Sequence, residues 1–440
     1  MVARDRGGFR QRVRGRWGFA SVIVGARRGF WWIVALVGLV GGLAGAGYVE
    51  ALKYLTRVLG PAQFTRPEHL AVLIGVGAAI GLLTLLLGDP GDVELLIDNI
   101  HVSGGTDDLR GLRSLIPISL LGISAGSAIG PEAPLVQTTG SLGSWVARRR
   151  RLTVPESRIL AVTGMAAGFT VLFGAPLGSA VFALEILHRR GLEYYEALLP
   201  AGIGSLAGYV VYGAVTGLGY HPIWRFPEPP VTLHLVDLGV GLGAGVAAAV
   251  VALAFVTAAR LFRRAFAALP ALARPIVGGA LLGGLAFASP YALTFGEGQI
   301  QVVARAELAV ATLLVAALAK LVASSMIVSS GWRGGFIIPL FFIGAALGVA
   351  AHDLLGVNQV VAMAAMMAAT NAGVTKTPFG STLVVAEMAG VRVLPPVLLA
   401  ALLALFLTSR TSMIHTQRSR DDHPVRDAPP GANGDGASTP

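Results

Sequence analysis

Ser124-Ala125-Gly126-Ser127-Ala128-Ile129-Gly130-Pro131-Glu132-Ala133-Pro134 interrupts an otherwise apolar stretch, and Glu132 is the only charge between Arg113 and Arg148. Two Gly and two Pro in eleven residues end one helix and open another. Such a break frees backbone N–H groups, which at the start of the next helix point outward with the positive end of the dipole. That arrangement attracts an anion without a fixed positive charge. A carboxylate placed there is a tethered anion competing for the same amides. A simple N-terminal cap is the alternative reading of Glu132.

The surroundings of this break are those of a bilayer. Of 440 residues, 54% are hydrophobic and 13% charged, against about 25% charged in a soluble globular chain. Uncharged runs at 29–49, 161–184, 238–259 and 275–296 each suffice to cross a membrane, for which about 20 apolar residues are needed. None alternates polar with apolar, so a transmembrane barrel is excluded and the expected class is an all-α polytopic membrane protein. The 58 Gly imply closely packed or frequently broken helices. Without Cys there is no disulfide, thiol catalysis or thiolate metal site, and the eight His show no metal-ligand spacing. No cofactor is expected.

Net charge is +10, and residues 1–28 contribute +7 of it through eight Arg and one Asp. In front of a first membrane span this is an orientation signal rather than a nucleic-acid site. It predicts a cytoplasmic N-terminal segment, with 29–49 too long for a cleaved signal peptide. Residues 417–440, rich in Pro, Gly and mixed charge, are expected to form a solvated, disordered tail. The transport region is then 29–416.

An internal repeat divides it. Pro134-Leu135 and Leu142-Gly143 are echoed by Pro339-Leu340 and Leu347-Gly348, an offset of 205; Pro176, Gly178, Ser179 and Glu185 are echoed by Pro378, Gly380, Ser381 and Glu387, an offset of 202. Two halves are expected, roughly 29–215 and 235–416. Repeats of this kind belong mostly to transporters and channels whose sites are built from broken helices at the interface between halves. The second half supplies a matching break, Gly331-Trp332-Arg333-Gly334-Gly335-Phe336-Ile337-Ile338-Pro339. Two facing helix N-termini would surround a dehydrated halide with amide donors, which bind weakly enough to release it.

Gly130-Pro131-Glu132-Ala133-Pro134 resembles the Gly-Arg-Glu-Gly-Pro motif of the CLC chloride channel and transporter family, and Gly334-Gly335-Phe336-Ile337-Ile338-Pro339 resembles its Gly-x-Phe-x-Pro region. Gly174-Ala175-Pro176-Leu177-Gly178-Ser179 is similar to its Asn-Ala-Pro-Leu helix. The resemblance covers about residues 30–417. It implies an inverted-repeat fold with broken and re-entrant helices, a homodimer with one anion pathway per subunit, a multi-pass place in the cell inner membrane, and halide and membrane lipid as partners. Glu132 matches the gating glutamate. Gly130, Ala133, Gly335, Phe336, Ile337 and Ile414 fall at anion-binding positions, with Phe336 and Ile337 contributing backbone N–H groups.

Several positions depart from the family pattern. Pro131 replaces Arg and has no N–H. The Gly-Ser-Gly-Ile-Pro segment is not recognisable in 91–101, a stretch closer to the bacterial fluoride-selective branch, as is 339–344. Ile414 stands where an anion-coordinating tyrosine is usual, and Ile186 where the antiporters carry an inner proton-transfer glutamate. The implied function is halide transport, chloride first, through a voltage-gated chloride channel-like pore with a glutamate gate. A proton-coupled fluoride or chloride antiporter and a transport-inactive membrane sensor are the alternatives. An intramembrane hydrolase lacks a third member to orient Ser127 and His101. Arg333 is read either as a vestibule charge or as snorkelling to an interface, Lys376 as a partner of Glu387, and Glu185 and Glu387 as structural.

Overall fold

Helix boundaries fall where the sequence supplies caps. Thr65 and Glu68, and again Thr153 and Glu156, form capping boxes with Pro in the first turn behind them. Gly174 and Gly356 close helices in the left-handed conformation, both at φ +65°. The computed structural model describes residues 28–417 except 92, 106–108, 190–193, 216–220 and 231. The expected N-terminal segment and C-terminal tail, all but Arg28 and Gln417, lie outside the described residues.

The first helical series is α1 (Arg28–Leu59), α2 (Arg66–Leu87), α3 (Val93–Ser103), α4 (Arg110–Ser124), α5 (Glu132–Arg149), α6 (Val154–Phe173), α7 (Pro176–Glu185) and α8 (Leu198–Val215). The second is α9 (Leu235–Ala267), α10 (Ala273–Ala288), α11 (Glu297–Arg305), α12 (Val310–Ile327), α13 (Ile337–Leu355), α14 (Gln359–Thr375), α15 (Pro378–Ala389) and α16 (Leu394–Leu407). Among the described residues, seven helices are long and apolar enough to span a membrane, which makes this a multi-pass, all-α membrane protein.

Helices α6 and α14 form the centre, buried along nearly their whole length. Helix α5 lies on α6, and α13 on α14. Both contacts use the repeated Leu-Gly pair: a Cβ on Gly143 would stand 2.1 Å from the Leu160 carbonyl oxygen, and one on Gly348 would stand 2.4 Å from Met363 Cα. Only Gly allows backbones so close, which is why the motif recurs at the same offset.

The second repeated motif joins the halves. Glu185, ending α7, accepts the Phe379 and Gly380 N–H groups at the start of α15, at 3.2 and 2.7 Å. Glu387, near the end of α15, accepts the Leu177 N–H at 3.2 Å and the Gly178 N–H at the start of α7. Each carboxylate caps the other half's helix, so α7 and α15 run antiparallel and the halves are inverted. Both amide pairs would otherwise be orphan helix donors.

This clasp corrects the expected Lys376–Glu387 pair. Lys376 instead donates to Gly373 O at 2.6 Å and to Thr408 O and Oγ1, both at 2.8 Å. Its backbone stands at φ +65° at the end of α14, the conformation Gly174 adopts in the first half. Holding a non-Gly residue there costs about 1–3 kcal/mol, and three hydrogen bonds from a buried ammonium offset it.

Removing either carboxylate strands two buried amides. Glu185→Ala and Glu387→Ala are each expected to lower stability by about 1–3 kcal/mol, with the double variant close to the sum because the caps serve different helix ends. Thermal unfolding in detergent measures this; an unshifted midpoint in both single variants would show that the clasp contributes nothing.

Candidate functional site

The two Gly/Pro breaks meet. Gly126 turns the chain at φ +97° after α4, and the Ala128 carbonyl is fixed by Ser324 Oγ at 2.8 Å. On the opposite side Gly331 turns at φ +91°, and the buried Trp332 indole donates to Pro275 O at 2.9 Å. Gly130 and Gly335 then pair as an antiparallel bridge, with Gly130 N–H to Gly335 O at 2.7 Å and Gly335 N–H to Gly130 O at 2.6 Å. Directly after the bridge the chain enters α5 through Pro131 and α13 through Phe336. Both helices carry Pro at their third position, Pro134 and Pro339, so neither has an N–H there. What remains exposed at the starts is Glu132 and Ala133 on one side, and Phe336, Ile337 and Ile338 on the other. The missing amide at Pro131 makes the pair of termini unequal.

Glu132 reaches across this junction. Its Oε1 accepts the Ile338 N–H at 2.5 Å, and the side chain is fully buried. Its Oε2 has no hydrogen-bond partner among the described residues. A Cβ on Gly130 or Gly335 would stand 2.4 or 2.5 Å from that oxygen, so the two bridged glycines are what leave room for the carboxylate. It does not cap its own helix; it occupies the N-terminus of α13, in the other half.

A cavity of ≈30 Å³ adjoins the carboxylate, enough for about one water-sized species. Glu132, Ala133, Gly335, Phe336, Ile337 and Ile414 all line it. Gly130, the remaining expected residue, lies one step back in the bridge. Val136, Phe169, Ile186 and Thr375 complete the wall. Val136 lies one helical turn after Glu132 and was legible from that spacing. Phe169 and Thr375 come from α6 and α14 with no local motif to announce them. The Thr375 hydroxyl donates to Asn371 O at 2.8 Å and sits 2.6 Å from Thr377 Oγ1.

Larger spaces lie on both sides. Ala133, Phe336 and Ile414 also border a cavity of ≈110 Å³ with Arg263, Arg333, Glu94 and Gln137 in its wall. Pro131, beside Glu132, borders one of ≈550 Å³ with Lys53, Arg57 and Glu297. The central cavity thus meets the ≈110 Å³ one at Ala133, Phe336 and Ile414, while the ≈550 Å³ one shares no lining residue with it and comes nearest at Pro131, the residue before Glu132. Ile414 is held by Ser412 Oγ donating to its carbonyl at 2.6 Å, and Gln417 Nε2 ties the same segment to Ile186 O and Thr375 O at 2.9 and 2.7 Å.

The remaining expectations resolve as follows. Arg333 pairs with Asp89 at 2.5 Å and lines the ≈110 Å³ cavity. The 91–101 stretch is helical over α3 and puts no residue into the central cavity. His101 bonds Tyr194 OH and Leu187 O, each at 2.8 Å, while Ser127 Oγ accepts from Ile129 N–H, so the two have separate partners and form no dyad.

The chain is 28% identical over 402 residues to a chloride/fluoride channel protein of Pseudomonas syringae pv. tomato, covering 88% of this chain and 85% of that one. It is 26% identical to an H+/Cl− exchange transporter of Cronobacter sakazakii, covering 81% of each. Among solved structures it superposes on a CLC-type fluoride/proton antiporter with TM-score 0.77 and 23% identity, covering 89% of this chain and 98% of that one. A slow cyanobacterial Cl−/H+ antiporter gives TM-score 0.76 and 21% identity, with 87% and 95% covered; at these identities the likeness is one of fold. The family model described as voltage gated chloride channel matches residues 91–409, well over half of the chain, and the chain therefore belongs to the voltage gated chloride channel family.

Proposed function

We propose that the protein is a halide pathway, preferring chloride, in which Glu132 is the gate. The observation that carries this reading is the Glu132 carboxylate accepting the Ile338 amide at the start of α13, beside a cavity of ≈30 Å³. With the carboxylate charged and in place, an incoming anion meets both a filled site and like-charge repulsion. Protonation or displacement removes both obstacles. Gly335, Phe336 and Ile337 present the second helix terminus, Ala133 and the Gly130 bridge hold the first, and Ile414 narrows the opposite neck. Weak amide binding suits rapid release. The proposed setting is a homodimer in the cell inner membrane, N-terminus cytoplasmic, with one pathway per subunit. Proton-coupled exchange of chloride or fluoride is the second reading, supported by the exchange transporter and antiporter among the similar proteins.

Halide efflux from liposomes, with external pH recorded, tests both. Acid should raise flux through the wild-type protein, because protonation neutralises the competing charge. Glu132→Gln should flatten that response to less than about twofold between about pH 4.5 and 7.5 and should abolish any coupled proton movement. A wild-type pH response surviving in Glu132→Gln would remove the gate assignment.

Gly335→Val should reduce flux at least about tenfold, and Phe336→Ala less than about threefold, because amide placement rather than side-chain chemistry forms the site. The cause at 335 is space: the added Cβ would stand 2.5 Å from Glu132 Oε2 and 3.0 Å from Ala133 N. The opposite order of severity would transfer the site to the Phe336 ring.

The cavity wall is mostly apolar, with Val136, Phe169, Ile186 and Ile414 and one hydroxyl already engaged. Few donors penalise the most strongly hydrated ion most, so the chloride-to-fluoride permeability ratio should exceed one. Ile414→Tyr, which adds a hydroxyl at the neck, should slow chloride more than fluoride. A ratio below one in the wild-type protein favours the fluoride reading.

A further inference from the structure

The wide cavity beside Pro131 contains a second carboxylate that the gate as described does not use. Glu297 opens α11 and lines this ≈550 Å³ space together with Lys53, Arg57, Tyr212 and Pro131. Its placement is built by several independent contacts. The preceding loop holds Thr294 at φ +60° and Gly296 at φ +101°. The fully buried Lys320 donates to Leu293 O at 2.8 Å and Thr294 O at 2.5 Å. Thr294 N–H donates to Gly126 O at 2.8 Å, which ties the loop to the same break that carries Glu132. Trp224 Nε1 donates to the Glu297 carbonyl at 3.0 Å. A left-handed threonine and a buried lysine are costly devices, and together they fix the backbone that carries Glu297.

The carboxylate itself makes no hydrogen bond or ion pair among the described residues. The titratable and charged groups facing it are Lys53 and Arg57 of α1 and Tyr212 of α8, with Glu132 next in the chain to Pro131 in the cavity wall and close enough to interact with it electrostatically. Lys53 is paired with Glu50 at 2.8 Å. From α13 the neighbour at this end of α11 is the Phe342 ring, against which Gly296 packs, and Lys320 of α12 is committed to the loop carbonyls. The space accommodates on the order of ten waters, with Lys53, Thr56, Arg57, Tyr212, Thr294 and Gln299 as polar partners in a wall that is otherwise apolar and includes Pro131.

Arg57, beside a Lys53 whose charge is shared with Glu50, leaves the lining on this side net cationic, which draws anions in and opposes the approach of hydronium. A gate that must be protonated from this side therefore needs a group that collects protons within the cationic field. We propose that Glu297 is the proton port of the Glu132 gate: it takes one proton from hydronium entering this cavity, leaving water, and passes one through that water to the Glu132 carboxylate. Glu297 is neutral after the first transfer and charged again after the second, Glu132 gains the proton, and no other species is consumed. The proposal rests on the reading of Glu132 as the gate of a halide pathway.

The test is the relaxation of chloride flux in proteoliposomes after an acid jump applied to each face in turn, for the wild-type protein, Glu297→Gln, Glu297→Asp and Glu132→Gln. Glu297→Gln should slow the relaxation at least about tenfold on one face only, since a neutral amide cannot carry a proton. Glu297→Asp should restore it to within about threefold. Lys53→Gln, which leaves the loop untouched, should speed it by removing an opposing cation. Relaxation at the wild-type rate in Glu297→Gln, with Glu132→Gln insensitive to pH, overturns the port and leaves the gate standing. A pH response persisting in Glu132→Gln, or no halide flux in the wild-type protein, overturns the gate and the port with it. Slower relaxation in Lys53→Gln also counts against the port, and supports an anion-steering role for that end of the cavity.

Discussion

Two backbone hydrogen bonds between Gly130 and Gly335 are the constraint on which the centre of this protein depends. They are short, at 2.7 and 2.6 Å, and they are made between the only paired extended residues among those described. Deep in a membrane protein, non-helical backbone must find its partners inside the protein. Here each break satisfies the other. The consequence is that α5 and α13 start from one junction, their unequal sets of amides face a common space, and among the described residues the one charged group lining that space is Glu132.

The same logic of mutual satisfaction appears at α7 and α15, where Glu185 and Glu387 each serve the partner half. Carboxylates therefore do opposite jobs in equivalent chemistry. Glu185 and Glu387 each accept two amides at the start of a helix and are structural. Glu132 accepts one, from Ile338, and has a second oxygen without a partner. Under-satisfaction of a buried carboxylate, rather than its mere presence at a helix terminus, separates the candidate gate from the two clasps.

The membrane class, the helical architecture and the two breaks were legible because they are written locally: apolar length, Gly and Pro, and a lone charge. The repeat was legible as well, and the reason for its conserved offsets is steric contact at Gly143 and Gly348. Six of the seven expected site residues line one cavity, since they flank the motifs themselves. What could not be read was long-range pairing. Lys376 was assigned to Glu387 on proximity in sequence, yet the Thr408 oxygens and the Gly373 carbonyl hold its ammonium. Phe169 and Thr375 reach the site because α6 and α14 are central, and that position depends on the packing of every other helix. Arg333 reads locally as a vestibule or interface charge, and its partner Asp89 lies 244 residues away in sequence, beyond the reach of any local pattern.

The clasp between α7 and α15 also has a meaning in time. The Gly178 amide leaves the ribosome 209 residues before the Glu387 carboxylate that receives it. At synthesis rates of about 5–20 residues per second, that is a wait of about ten seconds or longer. For that interval the first half is a membrane-inserted intermediate whose short helix has an uncapped polar end, and Glu185 has no amide to accept. Neither half has a finished core alone. Maturation is therefore bound to the arrival of the last two helices, and a chain truncated before α15 would present the membrane quality-control machinery with exposed polar backbone rather than with a smaller working protein.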